Sequence, residues 1–422
     1  MGAGDGPFEV RIDDIGAQGD GVARFAGAVL FVPMALPGER VVVEKTAAAR
    51  ARVVRWLSRS PARAEPPCRH YAVCGGCAAQ HFADEHYVGW KSSLASDALA
   101  RRGLRDITIA PLARTPPAAR RRAEFAARRR GDTIELGFHA RDARAIVDVE
   151  SCTVLRAEIA ALLPGLRDLL GRLAPVGGTT DVHVTRSDTG NDILLTGVRD
   201  LDLAAREACA SYAREAGIAR LAWRRAARAS AETIAMRTSP RMHFAGVAVD
   251  LPPGAFIQAS AEGEAAIVDA VARASADARR IADLYAGCGT LSFPLAGQGA
   301  RVRAIEGDAG QVAAFDAAIR RAGLAGRLSI ERRDLARRPL VGDELAGFDV
   351  VVLDPPRAGA RAQAEALARS NVAHVIAVSC DPGSFARDAR ILVDGGYRLE
   401  SVAPIDQFLW SPHLELVGVF RR

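Results

Sequence analysis

A thiol, a set of carboxylates and a glycine-rich turn hold the chemistry this sequence can offer. Val375-Ile376-Ala377-Val378 runs through Ser379 to Cys380 and stops at Asp381-Pro382. That is the pattern of a fully buried parallel strand ending in a loop, and ligands of open α/β sheets sit at that edge. A lone cysteine is usually a small buried hydrophobe, but Cys380 has acids for company. Glu306, Asp334 and Asp354 stand at or just after the ends of neighbouring predicted strands. Glu415 sits among Leu414, Leu416 and Val417, an odd place for a carboxylate without a task; the plain alternative is an outward-facing strand residue.

Asp283-Leu284-Tyr285-Ala286-Gly287-Cys288-Gly289-Thr290 closes one predicted strand and opens a helix. Its glycines let backbone approach a ligand closely. Ser292 stands where the third glycine of the dinucleotide fingerprint belongs, which disfavours a pyrophosphate cradle. Glu306 follows Gly287 by nineteen residues and is placed to accept both hydroxyls of a ribose. A nucleoside without a pyrophosphate fits, and S-adenosyl-L-methionine is one. Asp334 is placed to reach an adenine amino group, with an ordinary helix cap as the equal alternative. Cys288 reads as a packing residue. Asp354-Pro355-Pro356-Arg357 holds its carboxylate in a stiff loop. Amino-group methyltransferases place an aromatic where Arg357 stands, so a different target atom is expected.

A sulfonium donor gives Cys380 a reason to exist. Carbon-5 of a pyrimidine is too weak a nucleophile to take a methyl group unaided. A thiolate added to carbon-6 makes carbon-5 enolate-like, and a base must afterwards remove the carbon-5 proton. Glu415 is the candidate base and His413 a competitor.

A second group of thiols lies far upstream. Cys68, Cys74 and Cys77 have C-x5-C-x2-C spacing, with Gly75-Gly76 between the last pair, and Cys152 follows the β-like segment 145–149. Four thiolates suit zinc or an iron–sulfur cluster, and spacing alone does not choose. His70 and His81 read as surface or packing residues.

The elements that must position these groups divide the chain of 422 residues into a multidomain α/β protein. Short β-like runs punctuated by glycine over 1–62 predict a small barrel. Residues 63–250 predict a mixed α/β central domain carrying the cysteine site, whose helix over 83–102 can pack on the last domain. Strand–helix alternation over 251–422 predicts a doubly wound, Rossmann-like sheet. No stretch is apolar enough to span a membrane, and the odd count of seven cysteines suits a reducing compartment. A soluble, cytoplasmic monomer is expected. The net charge of +6 is mostly Arg, Lys occurring only at 45 and 91. Residues 101–130 hold ten Arg against Asp106 and Glu124. The triplets Arg120-Arg121-Arg122 and Arg128-Arg129-Arg130 around Phe125 read either as a solvated face or as an RNA-backbone track. Trp223 and Phe244 read as base-stacking surfaces or as core.

Asp354-Pro355-Pro356-Arg357, Ser379-Cys380-Asp381-Pro382 with Phe385-Ala386-Arg387-Asp388 after it, and His413-Leu414-Glu415 resemble the closing motifs of the RNA uridine-C5 methyltransferases. That family includes the bacterial 23S rRNA and transfer-RNA m5U enzymes. The first segment resembles a TRAM domain, an OB-like RNA-binding barrel, so the resemblance covers nearly the whole chain. It implies that Cys380 is the nucleophile and Glu415 the proton-abstracting base. It implies a donor site of Gln258, Tyr285, Thr290, Glu306, Asp334 and Asp354. It also implies a 4Fe-4S cluster on Cys68, Cys74, Cys77 and Cys152, with zinc the alternative.

The family usually has Asn where Asp381 stands. That acid raises the thiol's pKa unless an Arg such as Arg357 or Arg387 compensates. The connection Gln407-Phe408-Leu409-Trp410-Ser411-Pro412 replaces a Met-Phe-Pro run. Barrel and cluster together favour ribosomal over transfer RNA as partner. A non-catalytic RNA-binding iron–sulfur protein is the alternative of another class. An RNA cytosine-C5 methyltransferase would need a second cysteine near Arg357, which is missing.

Overall fold

The computed structural model describes residues 6–141, 144–175, 177–198 and 200–422. Residues 1–5 of the expected barrel segment therefore lie outside the described residues.

The chain begins with β1 (Phe8–Ile15), β2 (Gly21–Phe25), β3 (Ala28–Val32), β4 (Arg40–Ala47) and β5 (Arg50–Ser58). They close into a barrel of order β1-β2-β3-β5-β4. Strand periodicity builds its interior: Val10, Ile12, Ala23, Leu30, Val32, Val41 and Val43 point inward and are buried, while alternate residues face solvent. Glu39 seals one end. Its fully buried carboxylate accepts from Leu36 N at 2.9 Å and Ser60 N at 3.1 Å and pairs with Arg63 at 2.7 Å.

After the barrel come α1 (Asp84–Ala100) and two short strands, β6 (Thr108–Ile109) and β7 (Ala113–Arg114). The middle sheet is built from β8 (Arg122–Arg130), β9 (Thr133–His139), β10 (Ile146–Asp148), β11 (Thr179–Ser187), β12 (Gly190–Thr196), β13 (Arg220–Arg224) and β14 (Glu232–Met236). Among the described residues its order is β10-β9-β8-β11-β12-β13-β14. The helices α2 (Ala157–Ala160), α3 (Leu163–Leu173) and α4 (Leu203–Glu215) accompany it. Leu163, Leu166, Leu170 and Leu173 recur at helical spacing and are buried in one cluster with Phe125 and Leu136.

A hairpin of β15 (Arg241–Phe244) and β16 (Val247–Asp250) leads into the last segment. Its strands are β17 (Arg280–Leu284), β18 (Arg301–Glu306), β19 (Leu328–Arg332), β20 (Val350–Leu353), β21 (His374–Ser379), β22 (Arg398–Asp406) and β23 (Glu415–Arg421). Its helices are α5 (Ala261–Ala274), α6 (Ser292–Gly297), α7 (Ala309–Arg321), α8 (Arg361–Ala368) and α9 (Pro382–Asp394). The sheet order is β19-β18-β17-β20-β21-β23-β22-β6, with β7 also on β22. Strands β17 to β21 are parallel, whereas β23 runs antiparallel to both β21 and β22. Helices cover both faces over two apolar clusters, one built on α1, α8 and α9, the other on α5, α6 and α7. This is the doubly wound sheet the alternation predicts. Residues ahead of it in sequence complete its edge: β6 and β7 extend it, and α1 packs on α9 and β22.

Two aromatics depart from the stacking alternative. Phe244 is buried in the apolar cluster that contains Ile281 and Val352. Trp223 packs against the middle core, its indole N–H donating to Val198 O at 3.4 Å. Apolar neighbours claim both rings. Among the described residues no helix is long and apolar enough to cross a membrane.

Candidate active site

The parallel strands bring the sequence-derived acids to one edge. Strand order reverses between β17 and β20, the switch point where ligands of such sheets bind. The turn after β17 is strained in the way a binding loop requires: Tyr285 takes φ +65°, Gly287 +57° and Gly289 +96°. At Gly289 a Cβ would lie 2.5 Å from the Phe293 ring. Glu306, at the end of β18, accepts from Gly287 N at 3.0 Å, Gly307 N at 2.7 Å and Asp308 N at 2.8 Å, so backbone amides fix its direction. Below the loop, Asp283 is fully buried. Ser292 Oγ donates to its Oδ2 at 2.5 Å, and among the described residues its Oδ1 has no hydrogen-bond partner. Burial pushes this carboxyl up to about 7, against the Ser292 hydrogen bond. Sequence reading passed over it as part of the strand. Thr290 follows the loop half-buried, while Asp334 is exposed and accepts from Ala336 N at 3.1 Å, closing a turn rather than capping a helix, since no helix starts there.

Strand register brings Cys380 to Glu415. Ser379 pairs with Leu416 across β21 and β23, and Leu353 of β20 pairs with Ala377. Cys380, Asp354 and Glu415 thus occupy the ends of three adjacent strands. Glu415 is buried, not outward-facing. Burial and the Asp354 charge push Glu415 upward, against a hydrogen bond from Gln407; burial likewise raises Asp354, against one from Gln258. The Cys380 thiol is pushed up to about 12 by burial and then by the charges of Glu415, Asp354 and Asp381. Arg357 answers Asp381, its Nε lying 3.7 Å from Oδ2. Arg387 turns instead to Asp388 and Ala358 O. Asp381 also caps α9, accepting from Ser384 N at 2.8 Å. His413 is pulled down to about 4, chiefly by burial and then by Arg357 and Lys91. It is therefore a neutral imidazole near neutral pH.

Cys68, Cys74, Cys77 and Cys152 line one cavity of about 460 Å³. Cys74 is bridged to Ala140 and receives the Gly76 N–H on its sulfur at 3.5 Å. A Cβ on Gly75 would lie 2.9 Å from His139 O, so this turn demands glycine. Burial raises Cys74, Cys77 and Cys152, and the charges of their fellow thiols add to it. Among the described residues no three His, Cys, Asp or Glu side chains converge as a metal-ion site. His81 is buried, its Nδ1 2.5 Å from Tyr71 Oη, a packing role as expected. The same cavity is also lined by Arg357, Ser411, Pro412 and His413, residues of the loops that flank Asp354 and Glu415.

Residues 247–422 match the tRNA (uracil-5-)-methyltransferase family, and residues 8–52 match the TRAM domain. An RNA methyltransferase of Caulobacter vibrioides is 45% identical over 98% of this chain and 100% of its own length. The 23S rRNA (uracil(1939)-C(5))-methyltransferase RlmD of Pectobacterium atrosepticum is 32% identical over 97% and 93%. The chain belongs to the RNA (uracil-5-)-methyltransferase family. The Pyrococcus abyssi tRNA (uracil-54, C5)-methyltransferase in complex with S-adenosyl-L-homocysteine shares its fold. The TM-score is 0.74 over 98% of this chain and 100% of that one, at 20% identity.

In this RNA uracil-5 methyltransferase the supports of the site come from distant parts of the chain. Lys91 of α1 and Asp406 of β22, both fully buried, lie 2.8 Å apart. Tyr87 Oη donates to Asp406 Oδ2 at 2.6 Å and accepts from Trp410 N at 2.8 Å. Lys91 also donates to His413 O. Ala78 N and Ala79 N, just after Cys77, donate to Trp410 O at 2.7 and 3.0 Å. The loop between β22 and β23 is thereby tied to α1 and to the cysteine turn.

Arg121, one of the basic triplet, is buried. It holds Gln258 O at 3.1 Å with Nε and Glu264 at 2.6 Å with a terminal nitrogen. Arg120 and Arg122 lie over the rings of Phe408 and Phe256 at 5.9 and 4.7 Å. The first triplet is therefore not a solvated face: Arg121 is buried, and Arg120 and Arg122 are half-buried.

Proposed function

We propose that this enzyme transfers the methyl group of S-adenosyl-L-methionine to carbon-5 of a uridine in RNA, with 23S rRNA as the substrate, in the cytoplasm. The observation that carries this reading is the convergence of Cys380, Asp354 and Glu415 at three adjacent strand ends, with Glu415 Oε2 buried and unpartnered among the described residues. The half-buried Cys380 passes its proton to solvent and its thiolate sulfur bonds to carbon-6, the ring's electron pair moving towards carbon-5. Carbon-5 takes the methyl group, and the donor's sulfur leaves with its bonding pair. Glu415 then removes the carbon-5 proton, the ring double bond reforms, and the Cys380 thiolate departs. A target inside a helix must first leave its stack.

The donor-site fit rests on the strained Tyr285–Gly289 turn, on Glu306 aimed by three backbone amides and on the orphaned Asp283 oxygen. Tyr285, Thr290 and Glu306 would hold the nucleoside of the donor, Asp334 its adenine, and Gln258 and Asp354 the end nearest the reaction. When bound, the donor supplies an electrophilic methyl on a cationic sulfur, and the ionisable groups meeting it, Asp354, Glu415 and Cys380, are all acids.

RlmD, a 23S rRNA enzyme, covers this chain almost end to end, which supports ribosomal RNA. Mapping C5-methylated uridines in RNA from a strain lacking the gene tests it. Loss of one methyluridine from 23S rRNA, restored by the wild-type enzyme, is expected. Loss confined to transfer RNA would replace the substrate, and an unchanged pattern would reject the reading.

Cys68, Cys74, Cys77 and Cys152 would hold a 4Fe-4S cluster. All four thiols line one cavity, and four thiolates suit an iron–sulfur cluster or zinc. The cluster would join the cysteine turn to the loop before Glu415, as a structural part. Anaerobically purified protein should contain about four iron and four sulfide per chain; stoichiometric zinc without sulfide would contradict this.

A further inference from the structure

Between the donor side and the base lies Gln407, a residue that the family motifs leave without a role. Its amide makes three directed hydrogen bonds. Oε1 accepts from Ala259 N at 2.9 Å, while Nε2 donates to Gln258 Oε1 at 2.8 Å and to Glu415 Oε1 at 2.9 Å. The direction is forced. A reversed amide would set its oxygen against two acceptors and its NH2 against a backbone N–H. Gln258 is oriented in turn: its carbonyl is taken, so its Nε2 faces Asp354 Oδ2 at 3.1 Å. Gln407 is buried, and a Cβ on Gly263 would lie 2.5 Å from Gln407 Cβ. Helix α5 therefore presses on the side chain from behind and leaves it one pose.

We propose that Gln407 is a positioning residue that sets the base to work: it holds one oxygen of Glu415, leaves the other free for the carbon-5 proton, and links that carboxylate to the Gln258–Asp354 pair beside the donor. This rests on Glu415 being the base. A donor on Oε1 favours the ionised form of Glu415 against burial and the Asp354 charge, both of which oppose it. The ionisable groups facing Glu415 are Asp354 at the end of β20 and Cys380 at the end of β21. Pairs on the surrounding elements are closed on themselves: Lys91 with Asp406, Arg121 with Glu264, and Arg387 with Asp388. The neutral Gln407 amide is thus the donor that acts on Glu415.

Gln407→Met removes both donated bonds at similar volume. Without a donor the carboxylate is less stabilised, so its pKa rises and fewer molecules hold a ready base at a given pH. The ascending limb of the single-turnover rate against pH should move up by about one unit. On that limb the rate should fall roughly tenfold, and covalent RNA adduct should build up in proportion. A purely structural role would lower the plateau without moving the limb. Donor titration and thermal unfolding establish that the variant is folded. If it is not, Gly263→Ala, which displaces Gln407 without altering it, should shift the limb in the same direction.

An unmoved limb in a folded, donor-binding variant overturns the proposal. Glu415→Gln, run beside it, separates the two readings. Normal turnover there removes the base assignment and this proposal with it. A stalled Glu415→Gln enzyme together with an unshifted Gln407→Met profile removes only the positioning role.

Discussion

Cys380→Ala is expected to abolish methyl transfer, with a loss of at least roughly 10⁴-fold, while donor binding stays near the wild-type level. The split follows from the geometry. Cys380 lies past the end of β21, whereas the donor loop follows β17 and Glu306 ends β18. Removing the sulfur leaves the proposed donor site in place but takes away the group that would make carbon-5 nucleophilic. Cys380→Ser should be equally inactive, because an alcohol is a far weaker acid than a thiol in a site where even the thiol is raised to about 12. Radiolabelled methyl incorporation into RNA, measured beside a donor titration, checks both. Turnover within tenfold of wild type in either variant would exclude the covalent route.

Glu415→Gln should stop the enzyme one step later. The substitution keeps the size of the side chain and removes its capacity to take a proton. Addition to carbon-6 and methyl transfer then proceed, but elimination does not. Turnover should fall by roughly 10²–10⁴-fold, and protein should accumulate bound to RNA as a band that survives denaturing electrophoresis. The pH dependence expected of the wild-type enzyme has the same sign. Asp354 and Glu415 are both raised by burial, and Glu415 further by Asp354. The base form therefore appears only above the ordinary carboxylate range, so elimination accelerates as pH rises through neutrality. Stability runs the other way. A buried acid whose folded pKa is raised holds its proton where the unfolded chain has lost it, so folding stability declines as pH climbs from the ordinary carboxylate pKa through the raised one.

Much of this site was legible because strand ends are written locally. Apolar runs closing on Asp354, Cys380 and Glu306 announce parallel strands, and the edge they share follows from topology. Glu415 was legible for the opposite reason, being a carboxylate where apolar periodicity asked for a hydrophobe. Charge alone offered Arg357 or Arg387 as the partner of Asp381, and only the fold selects Arg357.

The supports were not legible, because their partners are remote. Tyr87 meets Asp406 across 319 positions, and nothing local to Lys91 or Asp406 marks either as buried. Gln407 looked like loop polarity, and its task becomes visible only once Gln258, Ala259 and Glu415 surround it. Arg121 was hidden by its neighbours: in a run of arginines the buried one has no separate signature. β6 and β7 were unreadable for a different reason, since two-residue strands carry no periodicity and pair with β22 far along the chain.

The claim on which the mechanism rests is a sulfur–carbon bond between residue 380 and the uracil ring. Mass spectrometry of the adduct formed by the Glu415→Gln enzyme with RNA and S-adenosyl-L-methionine, after protease and nuclease digestion, reads it directly. The expected result is a peptide containing Cys380 that carries a methylated uridine nucleotide. A nucleotide on another residue, or a stalled enzyme with no covalent bond to RNA, would contradict it.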